Sequence, residues 1–192
     1  MSNVFHRFAP FIQDYIYRCK WEELREIQVL AAEAIFDTDE NLLLSSGTAS
    51  GKTEAAFLPV LTQLWENPSA SVGVLYLSPL KALINDQFER LEGLLEEAAI
   101  PVTKWHGDAS AAAKKRVMKR PQGIIQTTPE SLESMLMHNS SGAFKLFSDL
   151  RFVIIDEMHY FMDNDRGLQL LCLLERLARL IGYAPRRIGL SA

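Results

Sequence analysis

The stretch NLLLSSGTASGKTEAAFL, residues 41–58, decides the fold class of this chain. Its three consecutive leucines predict a short buried strand, and the pattern from Glu54 onward predicts a helix. Between them lies a loop of small residues that ends in Gly51, Lys52 and Thr53. A strand, a small-residue loop and Lys-Thr at a helix start are the setting of a phosphate-binding loop. Backbone amides and the helix N-terminus would then surround a polyphosphate.

The loop alone leaves two interpretations open. Ser46 stands where the pattern G-x-x-x-x-G-K-[ST] has its first glycine, so a plain strand-to-helix turn also fits. In the phosphate-loop interpretation Lys52 reaches the outer phosphates, and the Thr53 hydroxyl binds Mg²⁺. The candidate nucleotide-binding residues of this loop are Ser46, Gly47, Thr48, Ala49, Ser50, Gly51, Lys52 and Thr53.

A second feature is RFVIIDEMHY, residues 151–160, in which four apolar residues lead into two adjacent carboxylates. Unpaired charge is costly beside a buried strand, so a functional role competes with a simple surface turn. Asp156 can hold the Mg²⁺ shell, and Glu157 can orient or deprotonate an attacking water. The two features together favour a nucleotide hydrolase, and with it the phosphate-loop interpretation.

Composition limits the class of protein. The 192 residues are 48% hydrophobic and 23% charged, which suits one globular domain. A net charge of −4 gives no overall basic field, so nucleic-acid binding would need a local patch. Two cysteines without metal-type spacing indicate reduced thiols. Since no signal peptide or membrane-length apolar run occurs, we expect a soluble cytoplasmic domain.

Predicted strands alternate with predicted helices, which is typical of an α/β fold with a parallel sheet and helices on both faces. The predicted strands cover residues 41–45, 73–77, 101–105, 123–126, 152–155 and 187–190. The predicted helices cover residues 4–19, 22–36, 53–66, 81–98 and 109–119, and the leucine stripe at 168–180 is expected in the core. In such folds ligands bind at the carboxyl ends of strands, where the motifs fall.

Six ordered segments resemble superfamily 2 helicases of the DExH kind. Residues 46–53, 156–159 and 191–192 resemble the first, second and third motifs of that superfamily. LREIQ ending at Gln28 is similar to its adenine-reading segment, and YLSPLKAL (76–83) and TTPESL (127–132) to segments that grip one nucleic-acid strand. With HGD (106–108) and RGLQLLCLLERL (166–177), they most resemble the large-helicase-related, Lhr-like branch.

The resemblance implies a RecA-like P-loop NTPase domain over residues 1–192, with 1–36 as an N-terminal helical segment. It implies ATP and Mg²⁺ as cofactors, with Gln28 hydrogen-bonded to adenine. His159 would couple hydrolysis to movement, although a capping histidine also fits. The implied catalytic residues are Lys52, Asp156, Glu157 and His159. Single-stranded or partly duplex DNA or RNA is the implied partner, contacted by Ser78, Pro79, Lys81, Gly107, Thr127, Thr128, Pro129 and Glu130.

Two functions stay open: the motor domain of an ATP-dependent helicase or translocase, and a nucleotide-gated nucleic-acid-binding module without turnover. The intact Asp156-Glu157 pair favours the first, because a site without turnover would tolerate loss of Glu157. A GTPase is disfavoured, since no Asn-Lys-x-Asp motif occurs. The chain stops at Ser191-Ala192, within the third motif. We therefore expect the second RecA-like domain to be absent and the chain alone to hydrolyse ATP barely.

Two further motifs carry less weight. KKRVMKR, residues 114–120, fits a solvated helix face better than a basic nucleic-acid patch. DNDRG, residues 163–167, hints at a calcium loop, but Leu174 occupies the twelfth position, where a bidentate glutamate is required. We therefore predict no calcium site there.

Overall fold

A computed structural model describes residues 3–47, 50–80, 91–107 and 109–192 of the chain. Its six strands form one parallel sheet in the order β1-β6-β5-β2-β4-β3. The strands are β1 (Leu42–Ser45), β2 (Val72–Leu77), β3 (Val102–Trp105), β4 (Gly123–Thr127), β5 (Phe152–Ile155) and β6 (Arg186–Ser191). Because all six run the same way, their carboxyl ends meet at one edge of the sheet.

Helices cover both faces of this sheet. One face packs against α1 (Pro10–Arg18), α2 (Glu26–Asp37), α3 (Lys52–Glu66) and α4 (Glu92–Glu97). The other packs against α5 (Ala111–Lys119), α6 (Pro129–His138), α7 (Ser140–Phe147) and α8 (Asp165–Ile181). Every residue of β2 and β5 is buried, as expected for central strands covered on both sides. The α/β prediction is therefore confirmed.

The N-terminal segment breaks where the sequence places a proline. The helix predicted over 4–19 is a 3₁₀ turn (Asn3–Arg7) followed by α1, which begins at Pro10. Proline suits the first turn of a helix but not its interior, so one continuous helix was the wrong prediction. Phe5, Phe8 and Ile12 are nevertheless buried, and the Ala9 amide donates to Thr62 Oγ1 over 3.1 Å. The segment thus belongs to the same core as α3.

The remaining predictions fare unevenly. All six predicted strands are confirmed to within two residues. Residues 81–90 of the helix predicted over 81–98 lie outside the described part of the chain, and α4 is the described portion. Helices α6 and α7 were not predicted. The leucine stripe is partly wrong as core, because Leu168 and Leu171 are 65% and 59% exposed. Within the described ranges, no helix is long and apolar enough to cross a membrane.

Candidate nucleotide site and adjoining groove

The carboxyl edge of the sheet divides into two halves. We call the ends of β1, β6 and β5 the loop half, and the ends of β2, β4 and β3 the groove half. The loop between β1 and α3 lies in the loop half and turns at Gly51, whose φ of 87° is left-handed. A Cβ there would also lie 2.9 Å from Gln28 Nε2, so glycine is required on both counts.

Lys52 folds back over this loop. Its ammonium donates to the carbonyl oxygens of Ser46 at 2.5 Å and Gly47 at 2.8 Å. The Ser46 and Ser50 hydroxyls are 2.5 Å apart, which closes the loop beneath the ammonium. Ala55 donates the first hydrogen bond within α3, to the Gly51 carbonyl, so the amides of the preceding turn point along the helix axis toward the loop. Two predicted loop residues, Thr48 and Ala49, lie outside the described residues.

Gln28 lies directly beside the loop but is largely enclosed. It is 3% exposed, and its Oε1 accepts the Arg25 amide over 3.0 Å at the start of α2. This hydrogen bond fixes the carboxamide next to Gly51. The carbonyl oxygen of the predicted adenine-reading side chain is therefore already hydrogen-bonded at the start of helix α2. Its role toward a base stays a prediction.

Asp156 is a buried carboxylate at the end of β5, 3% exposed. Its Oδ2 accepts the Tyr76 hydroxyl at 2.5 Å, and its Oδ1 accepts the Glu157 amide at 2.9 Å. Burial raises the pKa of Asp156; the Tyr76 hydroxyl opposes this shift, the Glu157 carboxylate adds to it, and the Lys52 ammonium offsets part of it. Burial and Asp156 raise the pKa of Tyr76 well above its usual value, so the phenol is the donor.

Glu157 and His159 leave the strand in a strained turn. Glu157 has φ 47° and ψ 51°, a left-handed conformation that costs a non-glycine residue on the order of 1 kcal/mol. Its carboxylate is 3.3 Å from His159 Nδ1, and the His159 ring lies against Tyr160. Met158, which lies between Glu157 and His159, packs closely on β6. A Cβ at Gly189 would lie 2.3 Å from the Met158 sulfur.

The third predicted motif closes the loop half. Ser191, at the end of β6, is 8% exposed, and its carbonyl oxygen accepts the Ser46 amide over 3.3 Å. The three predicted motifs therefore meet at the ends of the neighbouring strands β1, β6 and β5. The sequence predicts motifs at strand ends, and the sheet order brings these three ends together.

These residues fit a magnesium nucleotide. Mg²⁺ is held in such enzymes by one or two carboxylates together with substrate phosphates. Each Asp156 oxygen accepts one described hydrogen bond and keeps a second lone pair. Thr53 lies in the first turn of α3, beside Lys52. The described residues contain no cluster of three His, Cys, Asp or Glu that could hold a metal by themselves.

The groove half carries an open depression of about 620 Å³ between the ends of β2, β3 and β4. Four of the predicted strand-contacting residues line it: Pro79, Gly107, Thr128 and Glu130. Three others are buried: Ser78 is hydrogen-bonded to Leu80, Thr127 to the Trp105 carbonyl, and Pro129 occupies the first turn of α6. Lys81 lies outside the described residues.

Sequence reasoning missed two cations in this groove. Lys114, on α5, donates to the His106 carbonyl at 2.6 Å and lies 5.6 Å from the centre of the Trp105 ring. The other basic residues of its run, Lys115, Arg116, Lys119 and Arg120, are exposed, which confirms the solvated face for those four. Arg166, on α8, donates to Glu130 Oε1 at 2.7 Å and to the Pro79 carbonyl at 3.0 Å. Lys114 belongs to the run KKRVMKR, for which a solvated helix face is the prediction, and no local pattern signals Arg166.

The two halves are joined through the first turn of α8. The Arg166 guanidinium lies 5.6 Å from the centre of the Phe161 ring, in the 3₁₀ segment Met158–Phe161 that follows Glu157. A Cβ at Gly167 would lie 1.8 Å from the Phe161 carbonyl oxygen. The chain that leaves the acidic pair thus packs directly against the helix that supplies a groove arginine.

A parallel sheet with a phosphate-loop arrangement at one strand end and an acidic pair two strands away defines a RecA-like P-loop NTPase domain. Residues 25–192 match the DEAD/DEAH box helicase family, and the chain belongs to that family. It is 35% identical over 95% of its length to the ATP-dependent helicase Lhr-Core of Methanothermobacter thermautotrophicus, spanning 22% of that relative. It is 38% identical over 80% of its length to Lhr-Core protein 2 of Thermococcus barophilus, spanning 19% of it.

Solved structures agree with this assignment. The Mycobacterium smegmatis helicase Lhr, bound to ssDNA and AMP-PNP, superposes with a TM-score of 0.84 at 32% identity. That match covers 100% of this chain and 25% of the Lhr chain. The DUF1998 helicase MrfA bound to DNA gives a TM-score of 0.86 at 28% identity, with 100% of this chain and 27% of MrfA covered. The chain therefore corresponds to about a quarter of each solved helicase.

Proposed function

We propose that this chain is the ATP-binding motor domain of an ATP-dependent DExH helicase or translocase, which couples ATP hydrolysis to movement on nucleic acid. One observation carries the proposal. Lys52 closes the loop after β1, and the buried Asp156 follows β5, two strands away on the same edge of the sheet. This arrangement suits a magnesium polyphosphate between the two.

Each predicted residue receives a role. Lys52 would exchange its loop carbonyl partners for the outer phosphates, and the loop amides would bind the remaining oxygens. Thr53 and Asp156 would hold Mg²⁺, which neutralises charge on the phosphates when bound. Glu157 would orient the attacking water. His159, whose ring lies beside the Glu157 carboxylate, would couple hydrolysis to movement. Gln28 would read the adenine edge from its place beside Gly51.

The groove half would hold one nucleic-acid strand. Lys114 adds positive charge to the polar lining formed by Gly107 and Thr128, while the charge of Arg166 is balanced by the Glu130 carboxylate. Such a surface positions phosphates without reading bases, so binding should tolerate any sequence. Lhr and MrfA structures contain ssDNA and DNA respectively, which supports a nucleic-acid partner here.

A second RecA-like domain would complete the site. The chain spans 22% of its Lhr-Core relative, and we propose that full activity requires such a further domain. In phosphate-loop enzymes an arginine supplied across the nucleotide raises turnover by about 10³ to 10⁵. Arg186 cannot supply it, because its guanidinium donates to Ile35 and Glu40 carbonyls at the opposite edge of the sheet. We also propose a cytoplasmic location.

Turnover measurements separate the motor from the non-hydrolysing alternative. ATP hydrolysis is measured for the 192-residue chain and for a longer protein that adds a second RecA-like domain, each with oligo-dT, oligo-U and no strand. The proposal predicts strand-stimulated turnover in the longer protein and very little in the chain. Glu157→Gln should abolish turnover while leaving ATP binding intact. ATP binding without turnover in the longer unmutated protein would favour the binding module instead.

A further inference from the structure

A buried tyrosine in β2 holds the metal-site carboxylate. Tyr76 is 0% exposed in a strand whose other members are apolar or glycine. Burial of a phenol is unfavourable unless its hydroxyl has a hydrogen-bond partner. The partner is Asp156 Oδ2, 2.5 Å away. A phenylalanine would fill the same space without that cost, so the hydroxyl points to a role beyond packing.

The sheet register explains how the contact forms. Tyr76 pairs with Ile154 on β5, and Asp156 follows Ile154 by two residues on the same face. The ring therefore runs along the strands toward their carboxyl ends and delivers its hydroxyl to the carboxylate. Phe57, on α3, packs on the ring with centroids 5.9 Å apart. The helix that begins at the phosphate loop thereby fixes the tyrosine that touches Asp156.

The carboxylate is held at both oxygens. Tyr76 takes Oδ2, and the Glu157 amide takes Oδ1 over 2.9 Å, so the plane of the group is set by two donors of different origin. Removing the phenolic donor leaves the Glu157 amide as the remaining described hydrogen-bond donor to the carboxylate. Partners of a metal ligand that orient it typically affect metal affinity by about 10-fold to 100-fold.

We propose that Tyr76 is a positioning residue that presets Asp156 for Mg²⁺–ATP. The inference rests on the proposed magnesium-nucleotide site and adds to it a residue from β2, outside the nucleotide motifs. It links the start of α3, through Phe57, to the carboxylate at the end of β5. Tyr76 would then connect the helix that follows the phosphate loop to the acidic pair.

Tyr76→Phe removes one oxygen and keeps the ring against Phe57. We expect Mn²⁺ binding in the presence of ATP, followed by electron paramagnetic resonance, to weaken by about 10-fold or more. ATP binding in EDTA, followed with a fluorescent ATP analogue, should change less than about twofold, because the loop is untouched. The control is Tyr183→Phe, which removes a phenol donating to the Leu150 carbonyl over 3.0 Å far from the loop half. It should behave as the unmutated chain.

Circular dichroism and thermal denaturation ensure that each variant is measured below its unfolding transition. Equal metal affinity in Tyr76→Phe and the unmutated chain would overturn the inference while leaving the proposed function standing. Equal weakening of ATP binding with and without metal would also overturn it, because that is the signature of a structural role. If the unmutated chain bound ATP no better with Mg²⁺ than in EDTA, the proposed site itself would fail.

Discussion

The two halves of the sheet edge hold charge in opposite ways. In the loop half Asp156 is 3% exposed and Lys52 lies folded onto its own loop, so both charges have fixed short-range partners. In the groove half Arg166 and Glu130 form a surface pair with side chains 38% and 53% exposed. Buried, hydrogen-bonded charges are costly to disturb, whereas exposed pairs contribute little. Single substitutions should therefore have large effects in the first half and small effects in the second.

The largest effect is expected at Lys52. Lys52→Ala removes the cation proposed for the outer phosphates, and ATP affinity should fall by about 2–4 kcal/mol, roughly 30-fold to 1,000-fold. Isothermal titration with Mg²⁺–ATP measures the change. Lys115→Ala, an exposed lysine on α5, is the matched control and should bind as the unmutated chain does. Unchanged affinity in Lys52→Ala would show that the loop does not bind the phosphates.

The second largest effect is expected where Gly167 of α8 packs against Phe161, the contact that connects the two halves. Gly167→Ala places a Cβ 1.8 Å from the Phe161 carbonyl oxygen, a backbone atom that cannot rotate away. We expect a loss of about 2–3 kcal/mol in the free energy of unfolding, measured by urea denaturation. Gly93→Ala on α4 meets nothing within 4 Å and should be neutral or gain up to about 1 kcal/mol. Equal stability of the two variants would mean that this contact does not join the halves.

The sequence predicts the loop half far better than the groove half, for a physical reason. Asp156 follows β5 directly and Lys52 follows β1 after the loop of residues 46–51, so local spacing places both at the sheet edge. Arg166 reaches Pro79 across 87 positions of sequence, and Lys114 enters from a helix whose other basic residues are exposed. Such contacts depend on how helices pack on the sheet, which no local pattern contains.

Two further misses have local causes. Helices α6 and α7 are short and meet at Asn139, whose side chain accepts the Gly142 amide and starts α7. Because the chain turns at Asn139, no single helical period runs through residues 129–147. Tyr76 is hidden in an apolar strand, where a tyrosine is ordinarily a packing residue. Its significance depends on the distance to Asp156, which only the register of β2 on β5 reveals.

A smaller effect is expected from the buried carboxylate on stability. Since burial raises the pKa of Asp156, the folded chain holds this proton more tightly than the unfolded chain. Its contribution to stability is present at acidic pH and is lost as pH rises through the raised pKa. Asp156→Asn, measured in EDTA, should therefore be more stable than the unmutated chain at pH 7.5. The difference should shrink at pH 5.

Thermal or urea denaturation at the two pH values measures this difference. Asp163→Asn, an exposed carboxylate in the loop before α8, is the control and should shift stability by less than about 0.5 kcal/mol. A variant Asp156→Asn that is less stable at neutral pH than at acidic pH, relative to the unmutated chain, would contradict the sign of the pKa shift.

The smallest single effect is expected in the groove. Lys114→Ala should weaken binding of a labelled single-stranded oligonucleotide by no more than about 1 kcal/mol. It should also lower the slope of log affinity against log salt by about 0.7, the share of one phosphate contact. Fluorescence anisotropy over a salt series measures both quantities. Lys119→Ala, exposed on the same helix, is the matched control. A salt slope unchanged by Lys114→Ala would remove Lys114 from the strand contact.

The central claim, that one sheet edge holds two separate sites, is tested most directly by crossing variants with ligands. ATP binding and oligonucleotide binding are each measured, in the absence of the other ligand, for Lys52→Ala and for Lys114→Ala/Arg166→Ala. We predict that Lys52→Ala loses ATP affinity by at least about 30-fold and keeps oligonucleotide affinity within about twofold. The groove double variant should lose oligonucleotide affinity by about 10-fold and keep ATP affinity within about twofold. If both variants weakened both ligands to the same extent, the two-site account would be contradicted.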